Sequence, residues 1–243
     1  MKIALIQSRP VKGNIESNIR DHVRLTRQAA DSGAEFAVFP ELSITGYEPT
    51  LAKDLAMQPG DPRLDIFQQL SDGESITIAV GVPTSGATGT QISLVVFQPG
   101  TDRQVYSKQH LHPDEFPFFV NGNDSLYLGD ERGKIALAIC YEISVPEHSF
   151  EANEAGAAIY IASVAKTESG TRNAFASLPV IAARYSMHVL MANCVGLCDG
   201  VICTGSSAAW NKDGQLVGKL DGVNEGILIF DTESQVVISS TNG

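Results

Sequence analysis

Apolar positions along the chain follow two rhythms: short runs that suit strands, and stripes every three or four residues that suit helices. Residues 2–7 form a short apolar strand. Asn14 can cap a helix whose Ile15, Ile19, Val23 and Ala30 make one apolar stripe, and Gly33 stops it. Residues 35–39 read as a second strand ending at Pro40-Glu41, and Asp61-Pro62 opens a helix carrying Leu64, Phe67 and Leu70 that closes near Gly73. Residues 76–82, 92–97 and 104–108 read as strands, the last two joined across a turn at 98–102. Later, residues 178–187 read as a helix entered through Pro179, 189–193 as a strand, 205–210 and 215–219 as a hairpin, and 226–230 as a final strand before a polar tail.

Two stretches echo each other. Lys2-Ile3-Ala4-Leu5 recurs as Lys134-Ile135-Ala136-Leu137, and each copy is followed by a helix and then a strand introduced by a Gly-Ala pair, at 33–34 and 156–157. The expected architecture is therefore α/β with two pseudo-equivalent halves. Such halves pack sheet on sheet with helices outside, a four-layer αββα sandwich built as one domain over residues 1–243.

The second copy leads straight into chemistry. Its apolar strand runs into Cys140, a polar turn follows, and Ser144-Val145-Pro146-Glu147 spells a capping box that would open a helix. A cysteine at a strand's carboxyl end lies where open α/β sheets gather ligands. A nearby helix dipole would favour its thiolate. Glu41 and Lys108 also close strands, so aligned strand ends can bring all three into one pocket. There a carboxylate can take the thiol proton, and an ammonium can stabilise the thiolate and the oxyanion formed when sulfur attacks a carbonyl. The backbone N–H of Tyr141 can supply a second oxyanion donor.

Composition narrows the partners. Hydrophobic residues make up 43%, and 17 basic against 28 acidic side chains leave a formal charge of −11 with no basic run, which disfavours nucleic acid. No apolar stretch reaches the ~20 residues that span a bilayer, and the amino terminus lacks a signal-peptide layout. The four cysteines do not suggest a disulfide scaffold, so the chain reads as a reduced, cytoplasmic protein. Cys194, Cys198 and Cys203 are spaced C-x3-C-x4-C, which matches no common zinc or iron–sulfur pattern, and no metal is expected. A Cys-His pair of Cys140 with His110, His112 or His148 is an alternative arrangement; His148 is expected on a helix surface.

The segments 39–47 (Phe-Pro-Glu-Leu-Ser-Ile-Thr-Gly-Tyr), 106–111 (Tyr-Ser-Lys-Gln-His-Leu) and 139–142 (Ile-Cys-Tyr-Glu) with Val145-Pro146-Glu147 resemble the glutamate, lysine and cysteine motifs of the nitrilase superfamily, the carbon–nitrogen hydrolases. Residues 192–196 and 205–208 resemble further family segments in the same order. The resemblance implies a triad of Glu41, Lys108 and Cys140, with a second glutamate at Glu115; Asp114 is the near competitor. It places Tyr47, Tyr141 and Glu142 at the substrate or the oxyanion. It implies thioester chemistry on a non-peptide C–N bond of a small amide or N-carbamoyl compound, no cofactor, and a homodimer. Ser144 stands where an arginine is usual, and Arg184-Tyr185 where a Glu-Asn pair is common. Those departures keep open a catalytically idle relative that binds a metabolite or a protein.

Overall fold

The computed structural model describes residues 1–242. Strand β1 (Lys2–Gln7) leads through helix α1 (Ile15–Asp31) to β2 (Phe36–Val38), and a short helix α2 (Ala52–Leu55) precedes α3 (Asp65–Glu74). Strands β3 (Thr77–Ser85), β4 (Thr90–Phe97) and β5 (Gln104–Ser107) finish the first half. The second half holds β6 (Tyr127–Asp130), β7 (Gly133–Ile139), α4 (Pro146–Glu154), β8 (Ala157–Val164), α5 (Glu168–Tyr185) and β9 (His188–Asn193). The hairpin β10 (Val195–Cys198) and β11 (Val201–Thr204) follows, then β12 (Ala208–Trp210), β13 (Leu216–Lys219), β14 (Glu225–Asp231) and β15 (Val237–Asn242).

Two sheets result, ordered β15-β14-β1-β2-β3-β4-β5 and β13-β12-β9-β8-β7-β6, with β10-β11 as a separate pair. Alternation along the strands explains the layers. Ile3, Leu5, Ile135, Leu137 and Ile161 point into one core between the sheets. Ala4 and Ile6 face the opposite way, into a core with Leu25 and Ala29 of α1 and Phe67 of α3. Ala136, Ala138 and Tyr160 likewise pack on Ala152 of α4 and on Ala174 and Leu178 of α5. This is the αββα sandwich. The two halves also match in topology: β1-β2-β3 run parallel before antiparallel β4, as β7-β8-β9 do before antiparallel β12.

Several local expectations need correction. Helix α5 begins at Glu168, ten residues before the expected start, and Pro179 lies inside it. Thr171, Ala174, Leu178 and Ala182 all bury on one stripe, and that packing outweighs the hydrogen bond Pro179 cannot donate. Ser144 does not cap α4: Val145, extended because a proline follows, is the cap, and Pro146 takes the first helical position. The polar tail adds edge strand β15 beside β14.

Candidate active site

Glu41 sits in a tight turn beyond β2. Phe39 N bonds Ala79 O on β3 at 2.9 Å, and Ser163 Oγ, reaching across from the second sheet, donates to Phe39 O at 2.8 Å. The turn lies so close to Gly81 that a Cβ there would come within 2.3 Å of Pro40 O and 2.4 Å of Leu42 N. Lys108 follows β5, and its carbonyl accepts from Gly122 N at 2.7 Å. Gly122 is needed at that contact, since a Cβ would sit 2.2 Å from Ser107 O. The crossing folds the 113–122 segment back over Lys108. It brings Glu115 to the lysine and leaves the Asp114 side chain 91% exposed.

Lys108 Nζ, fully buried, donates to Glu41 Oε1 at 2.8 Å and to Glu115 Oε1 at 2.7 Å. Tyr47 Oη donates to the same Glu115 oxygen at 3.0 Å, and Glu115 Oε2 accepts from His112 N at 2.7 Å. Both Glu115 oxygens thus have donors, while Glu41 Oε2 is buried without a partner at hydrogen-bond distance. The Cys140 thiol is near enough to that carboxyl to favour its ionised form.

Cys140 closes the strand run of β7 with φ at +44°, a left-handed conformation that costs a non-glycine residue of order 1–3 kcal/mol. Glu142 holds it there. Its Oε2 accepts from Ile139 N at 2.6 Å and from Tyr106 Oη at 2.7 Å, and its Oε1 accepts from Gln109 N at 2.6 Å. The expectation that Glu142 binds substrate is therefore corrected. Its carboxylate is wholly buried and tethers the Cys140 turn to the chain just after Lys108. His148 is likewise no surface residue and no partner of Cys140: its ring bridges Tyr106 Oη at 2.8 Å and Tyr160 Oη at 2.7 Å, and burial lowers its proton affinity.

The electrostatics assign protons. Burial works against charge on Lys108, yet Glu41, Cys140 and Glu115 together overcome it and raise its pKa, so it stays an ammonium. Burial, aided by Glu115, raises the Glu41 carboxyl despite the lysine. Burial and Glu41 raise the Cys140 thiol above the usual range, with Lys166 and Lys108 pulling the other way. Burial thus works against the resting thiolate expected from a helix dipole.

Cys140, Tyr141, Tyr47 and Glu115 share the wall of a cavity of about 480 Å³ with two charged residues that sequence reasoning passed over, Lys166 and Asp199. Lys166 is set by Asn193, whose Oδ1 accepts from Lys166 N at 2.8 Å and whose Nδ2 donates to Lys166 O at 3.2 Å and to Gly205 O at 2.7 Å. The 192–196 and 205–208 segments singled out in the sequence thus meet here. Cys198 and Cys203 also line the cavity. Among the described residues no helix is long and apolar enough to cross a membrane.

The same arrangement of layers occurs in solved structures. A mutant of the amidase from Nesterenkonia sp. AN1 superposes with a TM-score of 0.88 at 23% identity, over 97% of this chain and 94% of that one. Among curated proteins, the glutamine-dependent NAD(+) synthetase of Acinetobacter baylyi is 28% identical over 96% of this chain and 45% of its own length. The enzyme of the same name from Thermotoga maritima is 27% identical over 90% of this chain and 40% of its own length. The chain therefore spans less than half the length of these relatives. The family model described as carbon–nitrogen hydrolase matches residues 2–240, nearly end to end. With strand, turn and sulfur all falling where the motifs lie, the chain belongs to the carbon–nitrogen hydrolase family.

Proposed function

We propose that this protein, acting as one domain, hydrolyses the C–N bond of a small amide or N-carbamoyl compound through a thioester on Cys140. The buried Glu41–Lys108–Glu115 network, set against the only one of the four cysteines that is not fully buried, carries this reading. Because Cys140 rests as a thiol, attack needs a base, and Glu41, raised in proton affinity and with one oxygen unpartnered, fills that role. Sulfur bonds to the carbonyl carbon as its proton passes to Glu41. Lys108 and the Tyr141 N–H stabilise the oxyanion. Collapse expels the amine, which takes the proton from Glu41, and leaves the thioester. Water, deprotonated by a carboxylate of the same network, then releases the acid and the thiol. Glu115 and Tyr47 hold the lysine between its two carboxylates.

The charged side chains of the cavity wall refine the substrate. Lys166 and Asp199 offer opposite charges in one cavity, which suits an amide whose other end carries a carboxylate and an ammonium. Glutamine has that form, and the NAD(+) synthetases similar to this chain are glutamine-dependent. The Nesterenkonia amidase, by contrast, has been captured with butyramide, and with the acetamide moiety of fluoroacetamide on its active-site cysteine. Simple aliphatic amides, glutamine and ureido compounds therefore belong in one panel read by ammonia release. Turnover of at least one, with an acyl group trapped on Cys140 by mass spectrometry, is the expected result. Undiminished ammonia release by Cys140→Ala refutes the mechanism, and an unmodified Cys140 with every compound favours the idle binder. For assembly we assign the homodimer to the face of α4 and α5, where Phe150 and Val180 stand exposed.

A further inference from the structure

The three remaining cysteines come together in a way their spacing conceals. Cys194 and Cys198 bracket strand β10, and Cys203 lies on β11, whose pairing sets it across from Gly196. Residues four apart on a straight strand stand about 13 Å apart. Gly196 adopts φ +95° between them, and the bend folds the strand until Cys194 Sγ and Cys198 Sγ lie 3.6 Å apart. All three sulfurs fall within 4.8 Å of one another. They are buried, yet they belong to none of the three apolar cores; they pack on each other, with the partly buried hydrophobic side chains Tyr47 and Ala165 against them.

From this geometry we propose that Cys194, Cys198 and Cys203 form a three-thiolate site for a thiophilic d¹⁰ cation, Zn²⁺ in the first instance, beside the catalytic cavity. Three sulfurs each about 2.3 Å from one tetrahedral zinc stand roughly 3.8 Å apart. The Cys194–Cys198 pair already meets that spacing, and no pair needs to contract by more than about 1 Å. A disulfide, by contrast, requires about 2.05 Å, well short of the 3.6 Å between Cys194 and Cys198. Cys198 and Cys203 help to line the cavity, so an ion and a water to complete its tetrahedron would have a route to the sulfurs from there. Cys203 also bridges Thr167 across the sheet edge, one residue from Lys166. A bound ion would therefore pin the β10–β11 hairpin as a rigid cavity wall, without entering the chemistry of Cys140.

The test is metal binding to the intact, fully reduced chain, read against a chelator of known affinity and independently of turnover. One Zn²⁺ per chain is expected, retained in Cys140→Ala and weakened at least about tenfold in Cys198→Ser and in Cys203→Ser, since loss of even an outer partner of a metal ligand costs that much. Co²⁺ in place of Zn²⁺ should give an intense thiolate-to-metal charge-transfer band in the wild-type protein and in Cys140→Ala, which decides the matter if the serine variants do not fold. Failure of the reduced protein to retain zinc, loss of binding in Cys140→Ala, or unchanged binding in folded serine variants overturns the site. So does a mild oxidant converting Cys194 and Cys198 to a disulfide in a protein with no zinc affinity.

Discussion

Replacing Lys108 with methionine isolates the charge balance at the heart of the site. The side chains are similar in length, so the substitution mainly removes an ammonium that is fully buried between two carboxylates. Laid end to end, the two contacts put the facing oxygens of Glu41 and Glu115 at most about 5.5 Å apart. At an effective dielectric constant of about 20, two negative charges at that distance repel by roughly 3 kcal/mol. Stranded burial adds to this, and the total loss near neutral pH should fall in the range of about 3–5 kcal/mol that follows when one partner of a buried pair is removed. The loss should also depend on pH, with a definite sign. Without the lysine, one carboxyl in the folded variant titrates higher than it does unfolded, so the folded state binds the extra proton. Stability is then greatest below the ordinary glutamate range and falls as pH rises through the elevated value. Urea unfolding of wild type and Lys108→Met across mildly acid to mildly alkaline pH would show the two curves converging on the acid side. Adding Glu115→Gln to Lys108→Met removes one of the opposed charges and should recover about 2–3 kcal/mol at neutral pH. A Lys108→Met protein as stable as wild type at neutral pH, or one whose deficit ignores both pH and the second substitution, would refute the reasoning.

Glu41→Gln should fold normally and lower the rate of amide turnover by about 10²–10⁴ through loss of the base, as steady-state ammonia assays would read. Because burial and Glu41 raise the Cys140 thiol, its alkylation by iodoacetamide should still be accelerating at pH values where an ordinary thiol has levelled off; mass-resolved labelling that plateaus early would contradict this. Gly81→Ala would force its methyl into Pro40 O and Leu42 N, so displacement of the Glu41 turn should cost about 1–3 kcal/mol in unfolding and most of the turnover. Val180→Glu, on the face assigned to the dimer, should convert a dimer to monomer in sedimentation, with a fall in melting temperature no larger than the lost association accounts for.

Sequence reached furthest where one local signal fixed one element. The strands that lead to Glu41 and Cys140 show as apolar runs, that to Lys108 as one arm of a hairpin, and the shared position of the three residues just past strand ends is what lets the fold gather them. Glu115 against Asp114 was beyond local reasoning, because the choice depends on how the 113–122 segment crosses Lys108 at Gly122. Glu142 was misread for a related reason: adjacency to a nucleophile suggests contact with substrate, whereas its partners Tyr106 and Gln109 are more than thirty residues away. The early part of α5 was legible in the buried stripe from Thr171 to Ala182, but Pro179 drew the boundary too late. The spacing of Cys194, Cys198 and Cys203 gave no hint of their meeting, since the bend at Gly196 is a property of the folded hairpin.

The two sheets divide the reactive groups between them: the first brings Glu41 and Lys108, and the second brings the sulfur. On the proposed mechanism neither half-molecule could act by itself. While the layers are still apart, water surrounds the charges and the thiol behaves as any other, so a partly folded chain carries no activated nucleophile. The base, the ammonium and the sulfur of that mechanism would meet only when the last faces close and the solvent leaves.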